Sequence, residues 1–303
     1  MLSNLDAVKL NFDVEALWLM NLCLAIVMFS VALDLKLSHF KSIAKAPRPA
    51  LVGIFSQFLL LPALTFLMIL VIRPQASIAM GMMMVAACPG GNVSNFMTYL
   101  AKGNAALSVS LTAFATLVAI IMTPLNLQFW GSLYPPTAAI LQSVSLDPVE
   151  VLKAIILILG IPLALGMVSQ NRYPELATVW AKRLKPLSIT LFIGFIVFAL
   201  AGNWDIFKQV VHMVIFIVFL HNALAMLSGF TLARIFKLNF QDQKSLAIET
   251  GIQNSGLGLL LIFTFFNGLG GMAVVAAWWG IWHIVSGLSI ATYWSYKASP
   301  RPA

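Results

Sequence analysis

Cys88-Pro89-Gly90-Gly91-Asn92-Val93-Ser94-Asn95 interrupts an apolar run over residues 76 to 101, and Glu249-Thr250-Gly251-Ile252-Gln253-Asn254-Ser255-Gly256 interrupts another over 243 to 267. Each run is long enough to cross a hydrocarbon layer of roughly 30 Å as a helix rising about 1.5 Å per residue. Pro and Gly in the first stretch and Gly in the second break the helix near its middle, and polar side chains crowd both breaks. Backbone N–H and C=O groups opened at that depth must be met by protein, water or a ligand. Two interruptions in matched places therefore imply a shared interior site, whereas kinks that serve only helix packing are the plainer alternative.

The rest of the chain has the same character. Its 303 residues are 60% hydrophobic and only 9% charged, with a mean hydropathy of +0.94. This balance fits a bilayer as solvent and leaves no stretch for a sizeable soluble domain. Further apolar runs give spans near 15 to 34, 48 to 72, 104 to 127, 149 to 169, 186 to 203, 207 to 235 and 270 to 295. With the two broken ones, the expectation is an all-α polytopic membrane protein of about nine transmembrane helices. The net charge of +8 does not call for nucleic acid, because the basic residues sit in short loops and form no continuous basic face. With the N-terminus outside, fourteen Lys and Arg fall on the inner side and four on the outer, which fixes an N-out, C-in orientation.

Residues 1 to 14 then form an extracytoplasmic segment without the features of a cleaved signal peptide. Residues 15 to 127 form a first unit of four helices, 128 to 148 an outer linker with Pro135 and Pro136, 149 to 295 a second unit of five helices, and 296 to 303 an inner tail. The third and eighth spans run in opposite directions, as two broken helices of an inverted repeat do. Cys23 and Cys88 both lie in apolar segments, which gives no support for a disulfide.

Glu249 is the one acidic residue of ten that falls well inside an apolar run. An ionised carboxylate there costs several kcal/mol, so it calls for a cation or a proton; a protonated, hydrogen-bonded structural Glu is the alternative. No Lys or Arg shares the interior with it. Oxygen ligands for a hard cation are at hand: Ser94 and Asn95 at the first break, then Ser108 and Thr112 one turn apart on a single helical face. Taken singly, such hydroxyls also bond back to their own helix. Gln57, mid-helix and five residues before Pro62, can reach a second site with Gln253 or act as interhelical glue. His283 stands out among four histidines because its helix follows the second broken one. Clustered Cys/His metal spacing, a nucleophile elbow and a phosphate-binding Gly loop are all absent from the sequence, which excludes the common enzyme constellations.

The runs Pro89 to Asn104, continuing through Ser108 and Thr112, and Glu249 to Gly258 resemble the signature segments of the bile acid:sodium symporter family, and the similarity extends over nearly the whole chain. The resemblance implies a panel unit and a core unit, with the broken helices crossing in the core. It also implies two sodium ions. The first would be held by Ser94, Asn95, Ser108, Thr112 and Glu249, and the second by Gln57, Glu249 and Gln253 with the carbonyls of Thr250 and Ile252. Asn92, Asn254 and His283 fall where the family places substrate contacts. Bacterial relatives often have ten helices, and this chain lacks the first, so the repeat would be four helices against five.

These readings lead to a symporter, not an enzyme, that couples sodium to a small organic anion of bile-acid, keto-acid or pantoate-like type by alternating access in a plasma membrane, the bacterial inner membrane. The competing readings are a proton-coupled transporter using Glu249 and a non-transporting membrane receptor.

Overall fold

The computed structural model describes residues 6, 22, 25–36, 38, 41, 44, 47–144, 153, 156–201 and 204–297. Most of the expected N-terminal segment, the start of the first span with Cys23, His39, residues 145–148 of the linker and the tail from 298 lie outside the described residues.

From Pro47 onward the chain forms α1 (Pro47–Ile72), α2 (Ala76–Ala87), α3 (Val93–Leu100), α4 (Ala105–Leu133), α5 (Pro135–Ser143), α6 (Ile161–Arg172), α7 (Pro174–Ala201), α8 (Trp204–Ile235), α9 (Phe240–Gly251), α10 (Ser255–Phe265) and α11 (Gly270–Lys297). Among the described residues the only β pairing is one isolated antiparallel bridge, Gly90 with Gln253. Among the described residues, four helical segments are long and apolar enough to cross a membrane: Pro47–Ile72, Ala105–Leu133, Val211–Ile235 and Gly270–Lys297. The short apolar helices α2 and α10 are one half each of the two interrupted segments.

Burial is distributed as a bilayer requires. Ile121, Leu125, Phe129 and Leu133 recur every fourth residue along α4 and are exposed, as are Leu51, Phe55 and Leu59 along α1. Polar side chains such as Gln57, Thr65, Ser94, Thr98, Ser108, Thr112, Glu249 and Gln253 are buried. An apolar outer stripe around a polar interior is stable only where the surroundings are hydrocarbon. The chain is thus an all-α polytopic membrane protein. Trp279, Phe263, Leu61, Met80, Met82 and Met84 fill the main apolar core.

Local sequence explains the elements that position the site. Pro62 lacks an N–H and its ring crowds the carbonyl four residues back, and the turn just before it widens into a π-turn, Ser56–Leu60, closed by Leu61 N–H on the Ser56 carbonyl. Gln57 rides on that widened turn. The helix α4 runs on to Leu133, beyond the expected end near 127, and Pro135 and Pro136 open α5 within the expected linker, since proline suits the first turn of a helix. The linker is therefore helical where described. Likewise α7 begins at Pro174, well before the expected 186, and carries Pro186 in its interior.

Lys244 Nζ donates to the Ala101 carbonyl at 2.8 Å and Asn104 Nδ2 to Asp242 Oδ1 at 2.8 Å. These bonds hold the C-terminal end of α3 and the N-cap of α4 against α9.

Candidate functional site

The two breaks are narrower than the sequence suggests: residues 88–92 separate α2 from α3, and 252–254 separate α9 from α10. Gly91 N–H donates to the Ile252 carbonyl at 2.8 Å, and Asn254 N–H donates to the Pro89 carbonyl at 2.8 Å. This reciprocal pair surrounds the Gly90–Gln253 bridge and supplies backbone partners that each segment lost on leaving the helix. Thr123 Oγ1 donates to the Ala87 carbonyl at 2.8 Å and satisfies the end of α2. The interruptions thus meet directly, joined by the reciprocal pair of backbone hydrogen bonds.

Glu249 lies on the last turn of α9, buried at 2% exposure. Ser94 Oγ donates to its Oε2 at 2.6 Å, Ser108 Oγ to Oε2 at 2.9 Å, and Thr112 Oγ1 to Oε1 at 2.6 Å. Asn95 Oδ1 faces the same hydroxyls, 2.9 Å from Ser108 Oγ and 3.1 Å from Thr112 Oγ1. Thr112 Oγ1 also lies 3.0 Å from the Ser108 carbonyl. Each hydroxyl has one proton. With the Asn95 oxygen toward the hydroxyls, three protons face six acceptor contacts and at most half can be satisfied at once; a half-turn of that amide would turn two of the six into donor contacts. A cluster with this surplus of oxygen lone pairs around a buried carboxylate has the donor set of a hard, oxygen-loving cation.

Gly90 brings a second group of ligands to the other side of the carboxylate. A Cβ there would stand 2.5 Å from Glu249 Oε1 and 2.8 Å from Gln57 Nε2, so only glycine lets the two side chains close over the bridge. Gln57 Nε2 and Gln253 Oε1 are buried without hydrogen-bond partners, while Gln253 Nε2 donates to the Thr250 carbonyl at 2.7 Å. A half-turn of the Gln57 amide exchanges its nitrogen for its carbonyl oxygen at the same place. The Thr250 and Ile252 carbonyls accept from Gln253 and Gly91 respectively and each retains a second lone pair.

The structure therefore brings Ser94, Asn95, Ser108, Thr112 and Glu249 into one hydrogen-bonded cluster, with Gln57 beside Glu249 across Gly90 and Gln253 paired to that glycine. The three expected substrate contacts are less closely joined. Asn92 is exposed at the start of α3, Asn254 Oδ1 caps α10 by accepting from Leu257 N–H at 3.1 Å, and His283 is buried with Nδ1 unpartnered. Among the described residues no hydrogen bond links these three to one another. Sequence reasoning missed Gly90 as a site residue, although its place in the Gly-Gly pair at the break marked it. It also missed Ser56, whose Oγ lies 2.9 Å from Thr250 Oγ1; a lone Ser in an apolar helix carries no signal.

Comparison with known proteins gives the family. The model of the Sodium Bile acid symporter family matches residues 21–210, more than half of the chain and the whole first broken crossing. An uncharacterized sodium-dependent transporter of Bacillus subtilis (strain 168), YocS, is 32% identical over 280 residues, covering 92% of this chain and 84% of that protein. A probable chloroplastic sodium/metabolite cotransporter of Oryza sativa subsp. japonica, BASS2, is 31% identical over 286 residues, 91% of this chain and 64% of the relative. The human sodium/bile acid cotransporter 4 is 29% identical over 234 residues, 76% of this chain, which spans about half of that protein's length. A polar crossing of two broken helices inside an apolar shell and relatives that share nearly the whole chain lead to one assignment: this chain belongs to the sodium bile acid symporter family, a family of sodium-dependent membrane transporters.

Proposed function

We propose that this protein is a secondary transporter that moves a small organic anion inward together with two sodium ions. One ion is held by Ser94, Asn95, Ser108, Thr112 and Glu249, the other by Gln57, Glu249, Gln253 and the carbonyls of Thr250 and Ile252. The observation that carries this reading is the oxygen cluster around buried Glu249: the hydroxyls of Ser94, Ser108 and Thr112 lie 2.6, 2.9 and 2.6 Å from its carboxyl oxygens. An oxygen-rich pocket around a buried carboxylate suits a hard metal cation, which would neutralise the charge there. The anion binds at the crossing near Asn92, Asn254 and His283, where the half-helices α3 and α10 direct their N-terminal ends.

With both ions bound, the carboxylate shared between them ties the crossing together, and a core built on the broken helices moves against the remaining helices to alternate access. The chain spans a plasma membrane, the bacterial inner membrane, in nine crossings with the N-terminus outside. The anion is an organic acid of bile-acid, keto-acid or pantoate-like type; a sodium/metabolite and a sodium/bile acid cotransporter among the relatives support an organic solute.

Two sodium ions with one monoanion carry a net positive charge inward, which gains about 2.3 kcal/mol per 100 mV. Uptake into proteoliposomes is therefore expected to require external sodium and to rise when the lumen is made negative. Screening organic acids for thermal stabilisation in sodium identifies the anion for this assay. Equal uptake with choline outside would remove sodium coupling, and uptake driven by a pH gradient alone would assign Glu249 to a proton.

A further inference from the structure

Asn222 lies on α8, outside both broken crossings, and its amide is engaged at each end. Nδ2 donates to the Gly251 carbonyl at 2.7 Å, and Oδ1 accepts from Ser286 Oγ of α11 at 2.6 Å. The side chain is 1% exposed. Gln57 and Gln253 differ in this respect, since each keeps a buried amide atom without a partner. Amides left open suit an ion, and an amide engaged by protein at both its nitrogen and its oxygen suits a support.

The carbonyl that Asn222 holds is well placed for that role. Gly251 ends α9, where carbonyls lack intrahelical donors, and it stands between Thr250 and Ile252. Without a Cβ its peptide turns freely unless something fixes it. α8 presses on this turn with one face: a Cβ on Gly251 would collide with Met226, and a Cβ on Gly229 would lie 2.6 Å from the Leu246 carbonyl and 2.7 Å from Thr250 Oγ1. Residues 222, 226 and 229 follow the i, i+4, i+7 spacing of that face. A rotation of the Gly251 peptide would turn the two neighbouring carbonyls and disturb the Gly91 bond to Ile252.

We propose that Asn222, itself held by Ser286, is a positioning residue that fixes the Gly251 peptide so that the Thr250 and Ile252 carbonyls stay aimed at the second sodium ion. The proposal rests on the sodium reading given above. Its test is a titration of the thermal stability of the purified full chain with sodium chloride against choline chloride at constant ionic strength. Asn222→Ala is expected to raise the half-saturating sodium concentration roughly tenfold, about 1.4 kcal/mol, and Ser286→Ala roughly threefold, about 0.6 kcal/mol, both within the range for loss of a buried hydrogen bond. Both variants should also titrate less steeply, because one of the two ions is affected more than the other.

Thr65→Val is the control for general destabilisation. It removes the buried contact of 2.7 Å between Thr65 Oγ1 and His221 Nε2, and should lower the melting temperature while leaving the sodium midpoint within about twofold. An unshifted midpoint in Asn222→Ala, or an equal shift in Thr65→Val, overturns the proposal. If Asn222→Ala does not fold, an unshifted midpoint in Ser286→Ala overturns it. A wild-type protein that sodium does not stabilise refutes sodium binding itself, whereas a responsive wild type with unshifted variants refutes only the role of Asn222.

Discussion

Glu249→Ala is expected to abolish sodium-dependent uptake and to flatten the stabilisation of the protein by sodium. The carboxylate is the only acidic side chain in the cluster of Ser94, Asn95, Ser108 and Thr112, and it also flanks Gln57 across Gly90. Both proposed ions therefore lose their counter-charge together. Removing one partner of a buried charge pair costs about 3–5 kcal/mol, or more than a hundredfold in sodium affinity. The sign of the stability change in the absence of sodium is opposite. Without a cation the buried carboxylate is a liability, so Glu249→Ala should melt at or above the wild-type temperature in choline, despite the lost hydrogen bonds. Glu249→Gln keeps the shape and separates charge from packing: if it retains sodium-dependent uptake, the carboxylate serves packing alone.

Gly90→Ala should be nearly as severe, for a steric reason. Its added Cβ would sit 2.5 Å from Glu249 Oε1 and 2.8 Å from Gln57 Nε2, closer than real contacts allow. Either side chain must then leave its place, or the bridge to Gln253 must open. The expected result is a loss of sodium-driven uptake by one to two orders of magnitude or about 2 kcal/mol of stability, as overpacking of a tight interior produces. Gly194→Ala is the matched control, since that position on α7 has open space and should behave as wild type. Uptake by Gly90→Ala at the wild-type rate would show that the close approach at the crossing has no bearing on the ions.

Much of this architecture was legible in the sequence because membrane solvation leaves strong marks. A single acid inside apolar runs singled out Glu249, and paired breaks of opposite direction singled out the crossing. Ser94, Asn95, Ser108 and Thr112 were readable by type and spacing, since two lie at a break and two lie one turn apart. Other features depend on distant contacts that no local pattern records. The exchange of hydrogen bonds between Pro89–Gly91 and Ile252–Asn254 joins residues far apart in the chain. Asn222 looks like ordinary interhelical glue until Gly251 and Ser286 are seen on either side of it. Pro135 and Pro136 mark a linker in the sequence, yet at the first turn of a helix they start one.

Equilibrium binding of radiolabelled sodium to the purified protein tests the central claim most directly. Saturable binding of two ions per chain is predicted, displaced by unlabelled sodium but not by choline, and lost in Glu249→Ala. Absence of saturable binding, or binding that Glu249→Ala leaves unchanged, would contradict the account.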